Sequence, residues 1–241
     1  MATAARGSTA VNASEVAGKI RRAIFAGELV PNQRLVEADL AEMYGASRGH
    51  VRTALSELTV EGLVERIQNR GARVRSVPLE EALEIIEVRA ALEALCASRA
   101  ATRITDGQIQ DLREIGRRME RAVEAGDQGA YAQGNTDLHS TVIRLSGQQT
   151  AAATIDRLRA QAVRFQYRLF AKPGRALQSL PEHLEIIEAV CSRDPERASQ
   201  AMEVHLLSVG AAIQESVEEA GQEAGREAGQ ESSREPVPSR S

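Results

Sequence analysis

Along the front of the chain, apolar residues return every three or four positions, the spacing of one helix face. Val16, Ile20, Ala23 and Ile24 predict a first helix from Ala13 to Gly27, with Ser14 as its cap, Gly27 closing it and Pro31 just beyond. Leu35 leads into a second helix over Glu37 to Tyr44, in which Leu40 and Met43 face inward, and Gly45 makes the turn. Ser47 opens a third helix that runs to Gly62 and buries Val51, Leu55 and Leu58. The Ser47 side chain can accept a bond from a backbone N–H two or three residues on. After Gly62 the period changes to two. Residues 63–67 and 72–77 read as short strands joined by the turn Gln68-Asn69-Arg70-Gly71. Two helices on a short Gly turn, followed by a hairpin, are the pattern of a winged helix-turn-helix.

Beyond Pro78, where a linker of a few residues begins, the helical period resumes and Gly and Pro are sparse. Six helices are expected, over residues 79–102, 106–125, 128–146, 149–170, 180–192 and 195–216. Asp106, Asp127 and Asp194 stand where helices start, Gly126, Gly147 and Pro173-Gly174 mark breaks, and Pro195 suits a first helical position. The expected fold is mainly α, an N-terminal winged helix-turn-helix over 12–77 and a C-terminal six-helix antiparallel bundle over 78–216. Residues 1–11 and the Glu-Ala-Gly repeats of 217–241 are expected to be disordered. Each periodic Gly weakens a helix by roughly 1 kcal/mol against Ala.

Aromatic residues make up only 2% of the chain, with no Trp, so the cores fall to Leu, Ile, Val and Ala, which suits helices. The net charge of −4 hides an asymmetry. Residues 1–78 hold eleven Lys or Arg against eight Asp or Glu, a net of +3, which leaves −7 for the rest. Such a distribution implies that only the front meets a polyanion. No apolar run approaches the roughly 20 residues of a membrane helix. The first eleven residues lack the apolar centre of a secretory signal, so a cytoplasmic protein is expected. Cys96 and Cys191 match no metal or redox spacing and read as small buried hydrophobes.

The third helix carries the chemistry of the front. Arg48 and Arg52 lie one turn apart on one face, with His50 beside them near the helix start. A helix in the major groove reads bases with its first residues, and Arg is the usual bidentate partner of guanine. An ordinary amphipathic helix with solvated arginines fits these residues as well. In the hairpin turn Arg70 adds positive charge, and Gly71 lets a backbone approach a phosphate closely. The set Ile20-Arg21, Gly27-Glu28-Leu29-Val30-Pro31, Arg34-Leu35, Asp39-Leu40-Ala41, Ser47-Arg48, Val51-Arg52, Ala54-Leu55, Leu58 and Glu61-Gly62-Leu63-Val64 resembles the DNA-binding domain of GntR-family bacterial transcription regulators. The resemblance implies that Arg34, Ser47, Arg48, Arg52 and Gly71 contact operator DNA. Asn32 replaces the usual Gly after Pro31, Gly49-His50 stand for Thr-Pro or Thr-Thr, and Thr53 replaces a Glu. Ala38-Asp39 stand where some relatives carry an Arg. These departures bear on which operator is read.

The other three histidines are His139, His183 and His205, each beside apolar neighbours. Asn135 lies one turn before His139 on the same face. Three imidazoles aimed into one bundle can bind Zn, Ni or another divalent transition metal. Three separate hydrogen-bonded histidines satisfy the sequence too. The runs Glu87-Val88-Arg89-Ala90-Ala91-Leu92-Glu93, Asn135-Thr136-Asp137-Leu138-His139, the stretch from Glu182 to Val190, and Ala201-Met202-Glu203-Val204-His205-Leu206 resemble the FCD ligand-binding domain of the FadR subfamily. Six helices are similar to its VanR branch. The resemblance implies metal ligation by Asn135, His139, His183 and His205, with a small carboxylate effector held nearby. Asn135 in place of an Asp removes one negative charge. Asp137, one position off the expected face, reads as solvent-facing. Arg89 falls on the Arg of the family's first-helix motif, and its fork suits a carboxylate. Pairing of Arg89 with Glu87, Glu93 or another helix is the alternative. Arg164, Gln166, Tyr167 and Arg168 are further candidates on a helix with polar residues on several faces.

These readings lead to a DNA-binding transcription regulator, in this family usually a repressor, working as a homodimer on a two-fold operator. Its partners would be double-stranded operator DNA and a carboxylate metabolite, with no membrane and no catalysis. Two alternatives remain at this level. One is a direct metal sensor, which needs no carboxylate clamp. The other is a metalloenzyme fused to a DNA-targeting domain, for which no carboxylate stands at a general-base spacing.

Overall fold

A computed structural model of the chain describes residues 11–25, 27–67, 71–172 and 174–232. It comprises two compact units. One holds residues up to Pro78 together with Asp156–Arg164, the other Leu79–Ile155 and residues from Phe165 on.

In the front unit, α1 (Ala13–Phe25) buries Val16, Ala17, Ile20 and Ala23. Its cap is Asn12 rather than Ser14. The Asn12 side chain accepts from the Glu15 N–H at 2.9 Å, and the Glu15 carboxylate accepts from the Asn12 N–H at 3.1 Å. This reciprocal pair satisfies two donors that the helix cannot satisfy internally, which Ser14, already inside the first turn, cannot do. The chain then turns at Val30–Gln33, where the Gln33 N–H donates to the Val30 carbonyl at 3.0 Å. Pro31 and Asn32 occupy the turn, and Asn32 has φ 65°. Asn enters the left-handed region more readily than most residues, so it replaces Gly here without breaking the turn.

The turn delivers β1 (Arg34–Leu35), a strand too short for periodicity to predict. Next comes α2 (Glu37–Tyr44), which buries Leu40 and packs Ala41 and Tyr44 partly against the core. Met43 is 64% exposed, contrary to expectation, because the inward arc runs through positions 40, 41 and 44. After Gly45 at φ 63°, α3 (Arg48–Val60) buries Val51, Ala54, Leu55 and Leu58. The strands β2 (Val64–Ile67) and β3 (Gly71–Val74) complete an antiparallel sheet of order β1-β3-β2, with Leu35 opposite Ala72 and Val64 opposite Val74. The inner face of this sheet, α1 and α3 form one apolar core.

The helical unit contains α4 (Leu79–Arg103), α5 (Asp106–Glu124), α6 (Gln128–Ser146), the two ends of α7 (Gln149–Ala171), α8 (Arg175–Cys191) and α9 (Pro195–Ser232). Asp127 caps α6 through the Ala130 N–H, and Asp194 caps α9 through the Arg197 N–H. On α5 the cap is Thr105, paired reciprocally with Gln108, so Asp106 is the first helical residue and not the cap. Two boundaries differ from expectation. Helix α8 begins at Arg175, straight after Gly174 at φ 82°, and encloses Pro181 within it. Helix α9 is described to Ser232, past the expected end at 216. Its Glu, Ala, Gln and Arg residues favour helix, and each Gly weakens the helix but keeps its N–H donor.

Helix α4 packs along α9, α6 and α8, and α5 packs on α6 and α8. Leu112, Met119, Leu138, Val142, Ile186, Val190, Met202 and Leu206 fill the space between them. Gly134 sets the approach of α5 to α6. A Cβ there would stand 2.5 Å from the Met119 Cγ, so a side chain would push α6, and the residues that follow Gly134 on it, away. Cys96 and Cys191 are buried and unbridged. No helix among the described residues is long and apolar enough to cross a membrane.

Candidate metal centre and DNA-reading helix

Helices α6, α8 and α9 bring His139, His183 and His205 together, each about 98% or more buried. One ring nitrogen from each lies within 4.8 Å of the others. The ring centroids of His183 and His205 are 4.3 Å apart, and those of His139 and His205 are 5.2 Å apart. Asn135, buried one turn before His139, shares its helix face. Asp137 faces away, its carboxylate accepting from Arg118 at 2.9 Å and from Gln133 at 2.8 Å.

Hydrogen bonding fixes the proton on each ring. His139 Nδ1 lies 2.6 Å from a Glu93 carboxylate oxygen, and His205 Nδ1 lies 2.9 Å from Glu182. A carboxylate only accepts, so both Nδ1 atoms carry hydrogen. For His183 the assignment runs through a chain. The Ser179 hydroxyl donates to the Arg175 carbonyl at 3.0 Å, so its oxygen accepts from the Tyr131 hydroxyl at 2.7 Å. The Tyr131 oxygen, 2.9 Å from His183 Nδ1, must therefore accept the Nδ1 hydrogen. With Nδ1 carrying its hydrogen, the neutral form of each ring would place a lone pair at Nε2, the arrangement that metal-bound histidines show. His183 Nε2 is buried with no hydrogen-bond partner among the described residues. An orphaned acceptor of this kind costs about 1–3 kcal/mol unless a ligand satisfies it. The donor set therefore fits a divalent transition metal.

The electrostatics agree. Burial first, then His205, His139 and Arg175, hold the His183 pKa well below 6.5 and keep the ring neutral, the form that ligates. Burial pushes the Tyr131 hydroxyl up to about 12, so it stays protonated. Burial opposes the Glu182 carboxylate, but bonds from His205 and Ser208 outweigh it and leave its pKa lowered.

Two buried arginines flank the cluster. Arg89, 1% exposed, donates through Nε and Nη2 to one oxygen of Glu93, at 2.9 and 2.7 Å, and Glu93 is fully buried. The Arg89–Glu93 pairing is thus realised, yet Arg89 Nη1 is buried with no partner among the described residues. Arg175, 6% exposed, likewise keeps Nη2 buried with no partner among the described residues. Sequence reasoning missed Arg175, Ser179, Tyr131, Glu93 as a His139 partner, and Glu182. A signal was present only for Tyr131, one turn before Asn135, and for Glu93, one turn after Arg89. The side chains of Arg164, Gln166, Tyr167 and Arg168 lie outside the described residues.

On α3, Ser47 caps the helix by accepting from the His50 N–H at 3.1 Å. Arg48 and Arg52 are exposed on the turn that follows. The Arg52 guanidinium forks onto the Glu37 carboxylate, at 2.8 Å through Nη2. The His50 ring contacts the Val11 carbonyl at 2.9 Å, so its Nδ1 is engaged by the segment before α1. Arg34 is exposed on β1, and Gly71 opens β3 at φ 91°, a conformation that favours glycine. Arg70 lies outside the described residues. A contributor that periodicity did not single out is Arg66 on β2, which donates to the Ser56 hydroxyl of α3 at 2.7 Å and ties the wing to that helix.

A winged helix-turn-helix followed by an all-helical bundle defines a DNA-binding transcription regulator. Comparison with known families agrees. The gntR family of bacterial regulatory proteins matches residues 12–74, and the FCD domain matches residues 84–208. The chain belongs to the GntR family, with an FCD domain. It is 28% identical over 196 residues to the HTH-type transcriptional repressor RspR of Escherichia coli K12, covering 81% of this chain and 86% of that protein. It is also 28% identical over 207 residues to the transcriptional repressor GlaR of the same organism, covering 82% and 94%. The solved structure of E. coli McbR/YncC shares the fold with a TM-score of 0.72 at 20% identity, over 84% of this chain and 97% of that one. These families and relatives are regulators of transcription, not enzymes.

Proposed function

We propose that the chain is a cytoplasmic repressor of the VanR-like branch of the FadR subfamily, and that a small carboxylate bound at a metal centre controls its operator affinity. The six-helix FCD unit supports the branch. The observation that carries the function is the buried trio of histidines with every Nδ1 anchored and the His183 Nε2 unpartnered among the described residues. His139, His183 and His205 would hold the ion through Nε2, with the Asn135 amide oxygen as a further ligand. A nitrogen-rich set of this kind suits Zn or Ni. Such an ion, when bound, supplies a Lewis-acidic partner for a carboxylate. The chain does the rest. Glu93, Tyr131 and Glu182 fix the rings, and Arg89 Nη1 offers a donor to the acid.

Arg34, Ser47, Arg48, Arg52 and Gly71 would meet the operator, with Arg70 from the wing tip. His50, with Nδ1 engaged, has only Nε2 to offer. Val88 and Leu95 on α4 and Val204 and Leu207 on α9 are exposed apolar side chains, the kind a homodimer would cover. Only residues 75–78 separate β3 from α4, which favours transmission of a change in the bundle to the reading helices. For regulation, the acid must bind the DNA-free arrangement more tightly than the DNA-bound one.

The test is metal content beside operator affinity. About one Zn or Ni per wild-type chain is expected, lost in His183→Ala, and operator affinity should change when carboxylates are titrated into the metal-loaded protein. No metal in the wild type, or an operator affinity unmoved by saturating acid, would overturn the proposal. Because Glu93 already engages Arg89 Nε and Nη2, a direct metal sensor is the second reading. An operator affinity that follows the metal alone would favour it.

A further inference from the structure

The helical unit carries a second buried cation that the proposed metal centre does not use. Arg175 opens α8, and Arg175, Ser179, Glu182 and His183 follow one another along one side of that helix. Ser179 and His183 both bond the Tyr131 hydroxyl, so Arg175 stands about two turns from the His183 ring on the wall that faces the cluster. The Arg175 side chain is 6% exposed, and Nη2 is buried without a partner among the described residues. A guanidinium stays charged at any physiological pH, so a buried N–H of this kind calls for an anion.

Charge counting says how many negative charges are called for. The charged side chains that bond or flank the rings as described above are Arg89 and Arg175, each +1, and Glu93 and Glu182, each −1. They sum to zero, and Asn135 adds nothing where an Asp would add −1. A divalent ion at the histidines then leaves +2. A monocarboxylate neutralises half of that and can sit at one place only.

We infer that the effector is a small dicarboxylate, one carboxylate of which lies at the histidine cluster beside Arg89 while the other is held by Arg175. This inference rests on the carboxylate reading above and adds the second anchor. Arg175 acts as a specificity-determining residue that separates diacids from monoacids of the same length. The unpartnered N–H groups of Arg89 and Arg175 lie on different helices, α4 and α8, and a diacid would offer one carboxylate to each.

The experiment is isothermal titration of the zinc-loaded full chain with succinate, glutarate and adipate, and with butyrate, valerate and hexanoate. At least one diacid should bind the wild type at least about tenfold more tightly than the monoacid of equal length, the worth of one charge-assisted hydrogen bond. Arg175→Gln should bring that pair within about threefold, and Arg175→Lys should keep part of the preference. Equal affinities in the wild type, or a preference that survives Arg175→Gln, would overturn the assignment. If Arg175→Gln fails to fold or to bind zinc, the wild-type comparison and Arg175→Lys decide. Monoacid binding without any preference refutes Arg175 alone. Failure of every acid to bind the zinc-loaded protein refutes the carboxylate reading beneath it.

Discussion

Glu93 is the residue whose neutralisation should be felt both in folding and in metal binding. Its carboxylate is fully buried and divides its two oxygens between Arg89, at 2.9 and 2.7 Å, and His139 Nδ1, at 2.6 Å. Glu93→Gln keeps the shape but leaves one acceptor and one donor. If the amide oxygen turns to Arg89, the amide NH2 meets His139 Nδ1, which must then accept. The ring hydrogen moves to Nε2 and the ring can no longer ligate. If the NH2 turns to Arg89 instead, two donors oppose each other. In either case a guanidinium that is 1% exposed loses its counter-charge. Removing one partner of a buried ion pair costs roughly 3–5 kcal/mol, out of the roughly 5–15 kcal/mol that a domain has. Loss of a hydrogen-bond partner behind a metal ligand costs roughly 10–100-fold in metal affinity. Urea unfolding of the metal-free protein reads the first effect, and chelator competition for zinc reads the second. An unchanged midpoint together with unchanged zinc affinity would refute the reasoning. A lower midpoint with unchanged zinc affinity would show that Glu93 serves Arg89 only.

Other tests follow from the same geometry. Arg48→Ala and Arg52→Ala should each cost roughly 1–3 kcal/mol of operator affinity and relax base preference in an anisotropy titration; equal weakening on random DNA would mean that they touch phosphates alone. Tyr131→Phe removes the oxygen that accepts from His183 Nδ1 and should weaken zinc binding roughly 10-fold or more while the ligands remain; wild-type affinity would show that Tyr131 does not set the tautomer. The metal-free protein should lose stability in acid. Burial first, then His205, His139 and Arg175, depress the folded-state pKa of His183, so its contribution is whole above the unfolded value of 6.5. As pH falls from there toward the depressed folded value, the unfolded chain binds a proton that the folded chain does not, and stability declines. Denaturation midpoints that stay level over that window would contradict this.

Most of the helical layout was legible because aliphatic residues carry both cores and their spacing reports the buried face directly. Helix α6 falls on the predicted 128–146 because Asp127 caps it and Gly147 ends it at φ 67°, so both boundaries are written locally. The misreadings have local causes too. Asn12 and Ser14 are both good caps, and only the reciprocal bond to Glu15 separates them. A two-residue strand such as β1 shows no alternation. The fifth helix of the bundle is expected to start at 180, whereas α8 begins at Arg175 and the Gln178 N–H already bonds the Gly174 carbonyl at 3.2 Å. That one boundary hid Arg175 and Ser179 from the site, since residues read as loop are given no helix face.

The three histidines were legible from their apolar settings and the family pattern, but the groups that orient their rings were not. Glu93 is 46 residues from His139, and Tyr131 is 52 from His183. Glu182 adjoins His183 in sequence yet bonds His205. Periodicity marks which positions face inward and is silent on which inward positions meet. This matters most for Asn135. From the sequence alone, Asn in place of Asp reads as a weakened metal site with one negative charge missing. In the folded unit two carboxylates stand behind two of the rings, and a carboxylate that accepts from Nδ1 raises the basicity of Nε2. The missing charge is thus compensated at the histidines as ligand strength, while the overall positive excess remains. A metal centre built this way would hold its ion through the rings and leave the excess to be neutralised by an anion from outside the chain.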